Sequence, residues 1–242
     1  NYMDNYNNRR TVNPDTAGLN KFFVKVYQYM AMALLVSFVT AYIGVKFFAQ
    51  QIAAIFTNPI MSLVMFAVMI GFVYLFSKRV YSNPGAAFGM LMGYSVLNGA
   101  TFAVIGLSFD VATIGMALAG ATALFAGMAI YGYTTKRSLA SWRGILFGAM
   151  IALIIVGLLN IFFFNSLVYL VTAIIGVIVF AAMTAYDMNT LKSMYFQFSE
   201  SGAGATAEQG LAVSGALNLY LDFVNIFLYL LQIFGLGGSN ND

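Results

Sequence analysis

Hydrophobic and polar positions alternate along this chain on a coarse scale. Long apolar runs are broken by short polar punctuation. Runs of about 20 apolar residues are long enough to cross a bilayer as helices. Seven can be marked: Val26–Phe48, Ile55–Phe76, Gly85–Leu107, Val111–Tyr133, Gly144–Phe164, Leu167–Asp187 and Leu211–Leu236. The breaks at Asn58-Pro59, Ser82-Asn83-Pro84-Gly85, Phe109-Asp110 and Asn165-Ser166 carry the turn chemistry expected between helices. The pattern predicts an all-α integral membrane protein of seven transmembrane helices. It divides the chain into a flexible cytoplasmic N-terminal tail (1–22), a seven-helix membrane domain (23–238) and a short C-terminal tail (239–242). The first apolar run is too long for the core of a signal peptide and reads as the first span.

The last run departs from the others. Asn218, Asp222, Asn225, Tyr229 and Gln232 recur at steps of four and three residues, which places them on one face of a helix. A stripe containing an acid is expensive against hydrocarbon. It is therefore expected to face protein or water, with Leu219, Val224 and Leu228 toward lipid and this helix inside the bundle.

Composition agrees with the membrane assignment. Of 242 residues, 61% are hydrophobic and 8% charged, against about a quarter charged in soluble domains. There is no cysteine and no histidine, so thiol chemistry, histidine acid–base catalysis and the usual zinc sites are excluded. Basic residues alternate between the two sides. Arg9, Arg10, Lys21, Lys25, Lys78, Arg79, Lys136, Arg137, Arg143 and Lys192 fall on one side and Lys46 alone on the other. By the positive-inside rule this predicts a cytoplasmic N-terminus and an outward C-terminus. Small residues such as Gly115, Ala119, Ala123 and Gly127 form a row suited to close helix packing.

Candidate chemistry is confined to two intramembrane acids, Asp187 and Asp222. They flank the turn-rich stretch Ser201-Gly-Ala-Gly-Ala205 at similar distances, 14 residues before Ser201 and 17 after Ala205. If the two flanking helices run unbroken to that turn, the acids sit at one level of an antiparallel hairpin. Two close carboxylates cannot both ionise cheaply, so the pair would share a proton and respond to pH. Deprotonated, it offers hard oxygen ligands suited to transient Ca²⁺ binding. The alternative is that each acid only pins a neighbouring helix.

The stretches Thr184-Ala-Tyr-Asp-Met-Asn-Thr-Leu-Lys192 and Leu217-Asn-Leu-Tyr-Leu-Asp-Phe-Val-Asn-Ile-Phe-Leu-Tyr-Leu-Leu231 resemble the signature motifs of the Bax inhibitor-1 family. Tyr131-Gly-Tyr-Thr-Thr-Lys-Arg137 resembles its bacterial branch. The resemblance implies a central last helix wrapped by the other six and a pH-sensitive calcium leak gated by Asp187 and Asp222. It also implies a basic latch near the end of the second span, for which Arg79 and Lys78 are the candidates, Arg79 favoured for its bidentate reach. The expected location is the bacterial inner membrane. The expected partners are the lipid bilayer, protons and calcium as the permeant ion, with no cofactor, no nucleic acid and no enzymatic activity. The alternative function is a non-conducting modulator of a membrane protease or quality-control complex. An intramembrane aspartyl protease is disfavoured: Tyr186-Asp187 matches one half of such a dyad, but the second acid lies in Tyr220-Leu-Asp222 and the three prolines are Pro14, Pro59 and Pro84. A retinal receptor would need a lysine in the last span, which has none.

Overall fold

A computed structural model describes residues 16–163 and 165–238. Eight α-helices follow in order: α1 (Thr16–Phe47), α2 (Ala49–Thr57), α3 (Pro59–Arg79), α4 (Pro84–Ser108), α5 (Val111–Thr134), α6 (Arg143–Phe162), α7 (Ser166–Glu200) and α8 (Ala205–Gly238), with a 3-10 turn at Ala140–Trp142 before α6. Among the described residues seven helices are long and apolar enough to span a membrane, and α2 is the short exception.

Each polar break becomes a helix start. The Asn58 side chain accepts from the N–H groups of Ile60 (2.9 Å) and Met61 (3.3 Å), with Pro59 in the first turn. Asn83 accepts from Ala86 (3.0 Å), again before a proline. Asn165 accepts from Leu167 and Val168. Asp110 takes the Thr113 N–H at 2.9 Å and its hydroxyl at 2.6 Å. These side chains satisfy amide donors that the first turn of a helix leaves unpaired, and proline there has no amide to lose.

Several expected boundaries shift. Residues 16–22, assigned to the tail, form the first turns of α1, and Leu19 and Phe22 are buried. Residues 1–15 and 239–242 lie outside the described part, as does Phe164. Ile55–Thr57 belong to α2 and not to the second span, because the Asn58 cap starts a new helix. The sixth span continues thirteen residues past Asp187 to Glu200.

The last helix is the centre of the bundle: 72% of its apolar window is buried, against 6% for α3 and 11% for α6. Its principal neighbours are α1, α4, α5 and α7. The expectation of six wrapping helices is thus corrected to four. α3 packs chiefly on α4 and α6 on α7, and α3 meets α8 at its end, where the Val80 carbonyl lies against Gly210.

Small residues set the closest approaches. A Cβ on Gly99 would lie 2.5 Å from Thr40 Cβ, so glycine lets α4 cross α1. Gly132 allows α5 to rest on the backbone of Ala185 in α7. The packed row on α5 is Thr113, Ala117, Ala121, Phe125, Ala129 and Gly132. The row expected from the sequence, Gly115, Ala119, Ala123 and Gly127, is exposed. α5 carries small residues on both faces, and lipid is as apolar as a protein core, so composition does not distinguish them.

Candidate functional site: the α7–α8 hairpin

The turn between α7 and α8 is tight. Gly202 sits at φ +67°, a left-handed conformation natural to glycine just past a helix end. The Ala203 N–H donates to the Phe198 carbonyl at 3.0 Å. Both helices then run unbroken from it, which is the condition under which Asp187 and Asp222 come level. They do: the two carboxyl groups lie within hydrogen-bonding reach of one another, with the Thr184 hydroxyl beside Asp222. Asp222 is 3% exposed, and its Oδ2 is buried without a hydrogen-bond partner. Thr184 is fully buried and donates to the Phe180 carbonyl at 2.9 Å. A buried carboxyl oxygen facing a second carboxyl needs a proton, a water or a cation between them, since an unpaired buried acceptor is costly.

Asp187 is 21 residues into α7 from Ser166, about 31 Å at 1.5 Å per residue, which is close to a full hydrocarbon thickness. It sits toward the end of the bundle that carries the basic residues.

The remaining stripe residues separate. Tyr229 packs its ring on Gly176 of α7, 6.0 Å from the Phe180 ring. The Asn225 amide donates back to the Leu221 carbonyl at 2.8 Å, within its own helix. Gln232 is partly buried. Asn218 is exposed, one turn nearer the hairpin turn, and does not line the interior. The expected lipid-facing positions are corrected as well: Leu219 and Val224 are buried and Leu228 is partly buried.

Neither latch candidate meets the acids. Lys78 lies over the Tyr74 ring at 4.3 Å, and Arg79 is exposed. The adjoining Val80 contacts Gly210, twelve residues along α8 from Asp222, or about 18 Å at 1.5 Å per residue. An arginine side chain does not bridge that distance, so the structure separates the basic end of α3 from the pair.

Two polar clusters escape the sequence reading. On the side of α8 away from Asp222, the Tyr220 hydroxyl and Ser37 Oγ are 2.7 Å apart, and the buried Ser37 hydroxyl also lies 2.9 Å from the Ser95 carbonyl. Asn98 lies beside Tyr220 and Tyr94, its amide nitrogen buried without a partner. On α7, Asn189 Oδ1 accepts from the Leu139 N–H at 3.0 Å, while its amide donates to the Gly132 and Arg137 carbonyls. Lys192 Nζ donates to the Tyr133 carbonyl at 2.8 Å, a favourable place for a cation at a helix C-terminus. The helix that carries Asp187 thereby holds the α5–α6 loop. Asn189, Lys192, Gly132, Tyr133, Arg137 and Tyr220 lay within motifs the sequence offered, but Ser37, Ser95 and Asn98 did not. Ser37 and Tyr220 are separated by 183 positions, and no periodicity links them.

Among the described residues no group of three or more His, Cys, Asp or Glu side chains forms a metal cluster. Two carboxyl groups and the Thr184 hydroxyl offer fewer oxygens than the six to eight that Ca²⁺ takes.

The helices and the buried acids together define a seven-span, all-α membrane protein with an intramembrane carboxyl pair. The family model described as inhibitor of apoptosis-promoting Bax1 matches residues 19–240. The chain belongs to the Bax inhibitor-1 family. It is similar to the inner membrane protein YbhL of Escherichia coli K12, with 31% identity over 96% of this chain and 99% of that protein. It is also similar to the uncharacterized protein YrjE of Lactococcus lactis (33% identity, 93% of this chain and 94% of that one). A protein of Borreliella burgdorferi is 34% identical over 92% of this chain and 94% of its own length.

Proposed function

We propose that the protein is a pH-responsive calcium leak pathway of the bacterial inner membrane, gated by Asp187 and Asp222, with its N-terminus in the cytoplasm. The observation that carries the reading is the buried Asp222 carboxyl, one oxygen of which has no hydrogen-bond partner, lying beside the Asp187 carboxyl. With one proton shared, the pair is held together and α7 stays closed on α8. Loss of that proton leaves two negative charges in a poorly screened interior. Their repulsion reaches a few kcal/mol at an effective dielectric of about 20. A free energy of that size moves a two-state helix arrangement by orders of magnitude. The separated carboxylates then attract the cation they admit. The inner-membrane location is supported by the similarity to YbhL. The orientation is supported by the bias of Lys and Arg to one side.

The test is Ca²⁺ flux through the purified protein in liposomes between pH 6 and 8. Wild-type flux is expected to rise with pH, and Asp187→Asn or Asp222→Asn to flatten the profile. Ile145→Ala, on the exposed face of α6, is the control and should change nothing. An unchanged profile in the folded double Asn variant would remove the pair as sensor. Absence of flux in the folded wild-type protein would overturn the leak and favour the non-conducting modulator.

A further inference from the structure

α1 rests mainly on α4 and α8, and α5 on α7 and α8; the two touch at Tyr133, whose ring stands edge-on to Phe23 at 5.2 Å. Where they diverge they leave a groove of about 340 Å³. That lies at the lower end of the 300–1,000 Å³ typical of small-molecule sites, room for part of a lipid chain and not for a whole lipid. Its floor is Phe23, Ala129 and Met188, all buried, and its outer lips are Val24 (55% exposed) and Ile130 (63% exposed). The groove therefore opens sideways from the bundle, where the apolar belt meets lipid, and reaches α7 at the residue next to Asp187.

One end of the groove is polar. The Tyr133 hydroxyl donates to Asn20 Oδ1 at 3.0 Å. Next along the chain from that end come Lys21, one residue past Asn20, and Lys136 and Arg137 just past α5, all exposed. Neither α1 nor α5 contains an Asp or Glu to balance them. An apolar slot opening to lipid, with unbalanced positive charge at its end, matches one ligand chemistry. We propose that the groove seats an acyl chain of an anionic phospholipid, whose phosphate lies among Lys21, Lys136 and Arg137. This proposal is independent of ion conduction.

A phosphatidylglycerol carrying a photoreactive diazirine in its acyl chain, mixed into phosphatidylcholine vesicles with the full chain, tests it. Cross-links are expected on residues 20–27 and 129–133, and unlabelled phosphatidylglycerol should compete at least tenfold better than phosphatidylcholine. Each basic side chain near an anionic headgroup is worth about 1 kcal/mol, or about fivefold. Lys21→Gln with Lys136→Gln and Arg137→Gln should erase the headgroup preference while labelling persists. Val24→Trp fills the slot from its exposed lip and should abolish groove labelling with either lipid. Ile130→Trp does the same from the other lip, should the first variant fail to fold. Cross-links spread evenly over the apolar belt, equal competition by the two lipids, or unchanged labelling in the tryptophan variants would each overturn the proposal.

Discussion

The central helix presents two polar faces that solve the same problem differently. Toward α1 and α4, Tyr220 meets Ser37 at 2.7 Å, and the network continues into the Ser95 carbonyl. Toward α7, Asp222 meets Asp187 and Thr184, and one of its oxygens has no partner. Hydroxyls both donate and accept, so Tyr220 and Ser37 pair as neutral groups over the physiological pH range, although the Asn98 amide nitrogen on this face is buried without a partner. Ionised carboxyls only accept, so the second face closes only with a proton or a cation supplied from outside. On the proposed function, the contrast marks where the bundle would hold and where it would switch: the Tyr220–Ser37 pair carries no titrating acid, whereas the contacts of the α7–α8 carboxyl pair would depend on the medium.

The largest effect should come from converting one face into the other's chemistry. Asp187→Asn combined with Asp222→Asn lets amide donors pair across α7 and α8 at every pH. The flux profile between pH 6 and 8 should become flat while the protein's melting temperature in detergent becomes independent of pH. A pH-dependent melting curve in that variant would place the switch elsewhere.

Next in size is Asn189→Ala. It strands the buried Leu139 N–H and releases two carbonyls, and an unpaired buried donor costs about 1–3 kcal/mol. Hydrogen exchange should accelerate in residues 134–140 without a change in the pH midpoint of flux. A shifted midpoint would mean that the loop anchor and the carboxyl pair are one device.

Tyr220→Phe should be milder. Interhelical hydrogen bonds in membranes are worth about 0.6 kcal/mol on average and up to about 1.7, so a small drop in melting temperature is expected with the pH profile intact. Loss of pH response in this variant would break the distinction between the two faces.

The smallest effect belongs to Asp110, at the α5 cap. The Thr113 hydroxyl and N–H hold its carboxyl below the usual value of 3.8. A carboxyl lowered in the folded state stabilises above its ordinary value and loses that contribution as pH falls through the lowered one. Asp110→Asn, itself a good cap, should be indistinguishable from wild type in thermal melts between pH 5 and 8. A difference there would show that the cap has a role beyond starting the helix.

Much of the architecture was legible in the chain. Asn58, Asp110 and Asn165 marked helix starts because a cap needs only its own neighbours. The pairing of Asp187 and Asp222 followed from their similar distances to a turn, since an antiparallel hairpin converts approximate sequence symmetry into spatial proximity. What remained hidden were the faces. The row on α5 was read one face away from Ala117 and Ala121, Leu219 and Val224 were expected in lipid, Asn218 was expected inside, and Arg79 was expected within reach of the acids.

The sequence by itself determined the number of spans, their polarity in charge and the capping residues that start several of them. Those properties depend on local chemistry and on the length of an apolar run. Only the tertiary structure decided that four helices enclose α8, that Tyr220 finds Ser37 across 183 positions, and that α1 and α5 part to leave a groove. In water, burial sorts apolar from polar faces and leaves a period to read. In lipid both faces of a span are apolar, helix contacts are chosen by shape and a few polar bonds, and that choice exists only once the helices are packed.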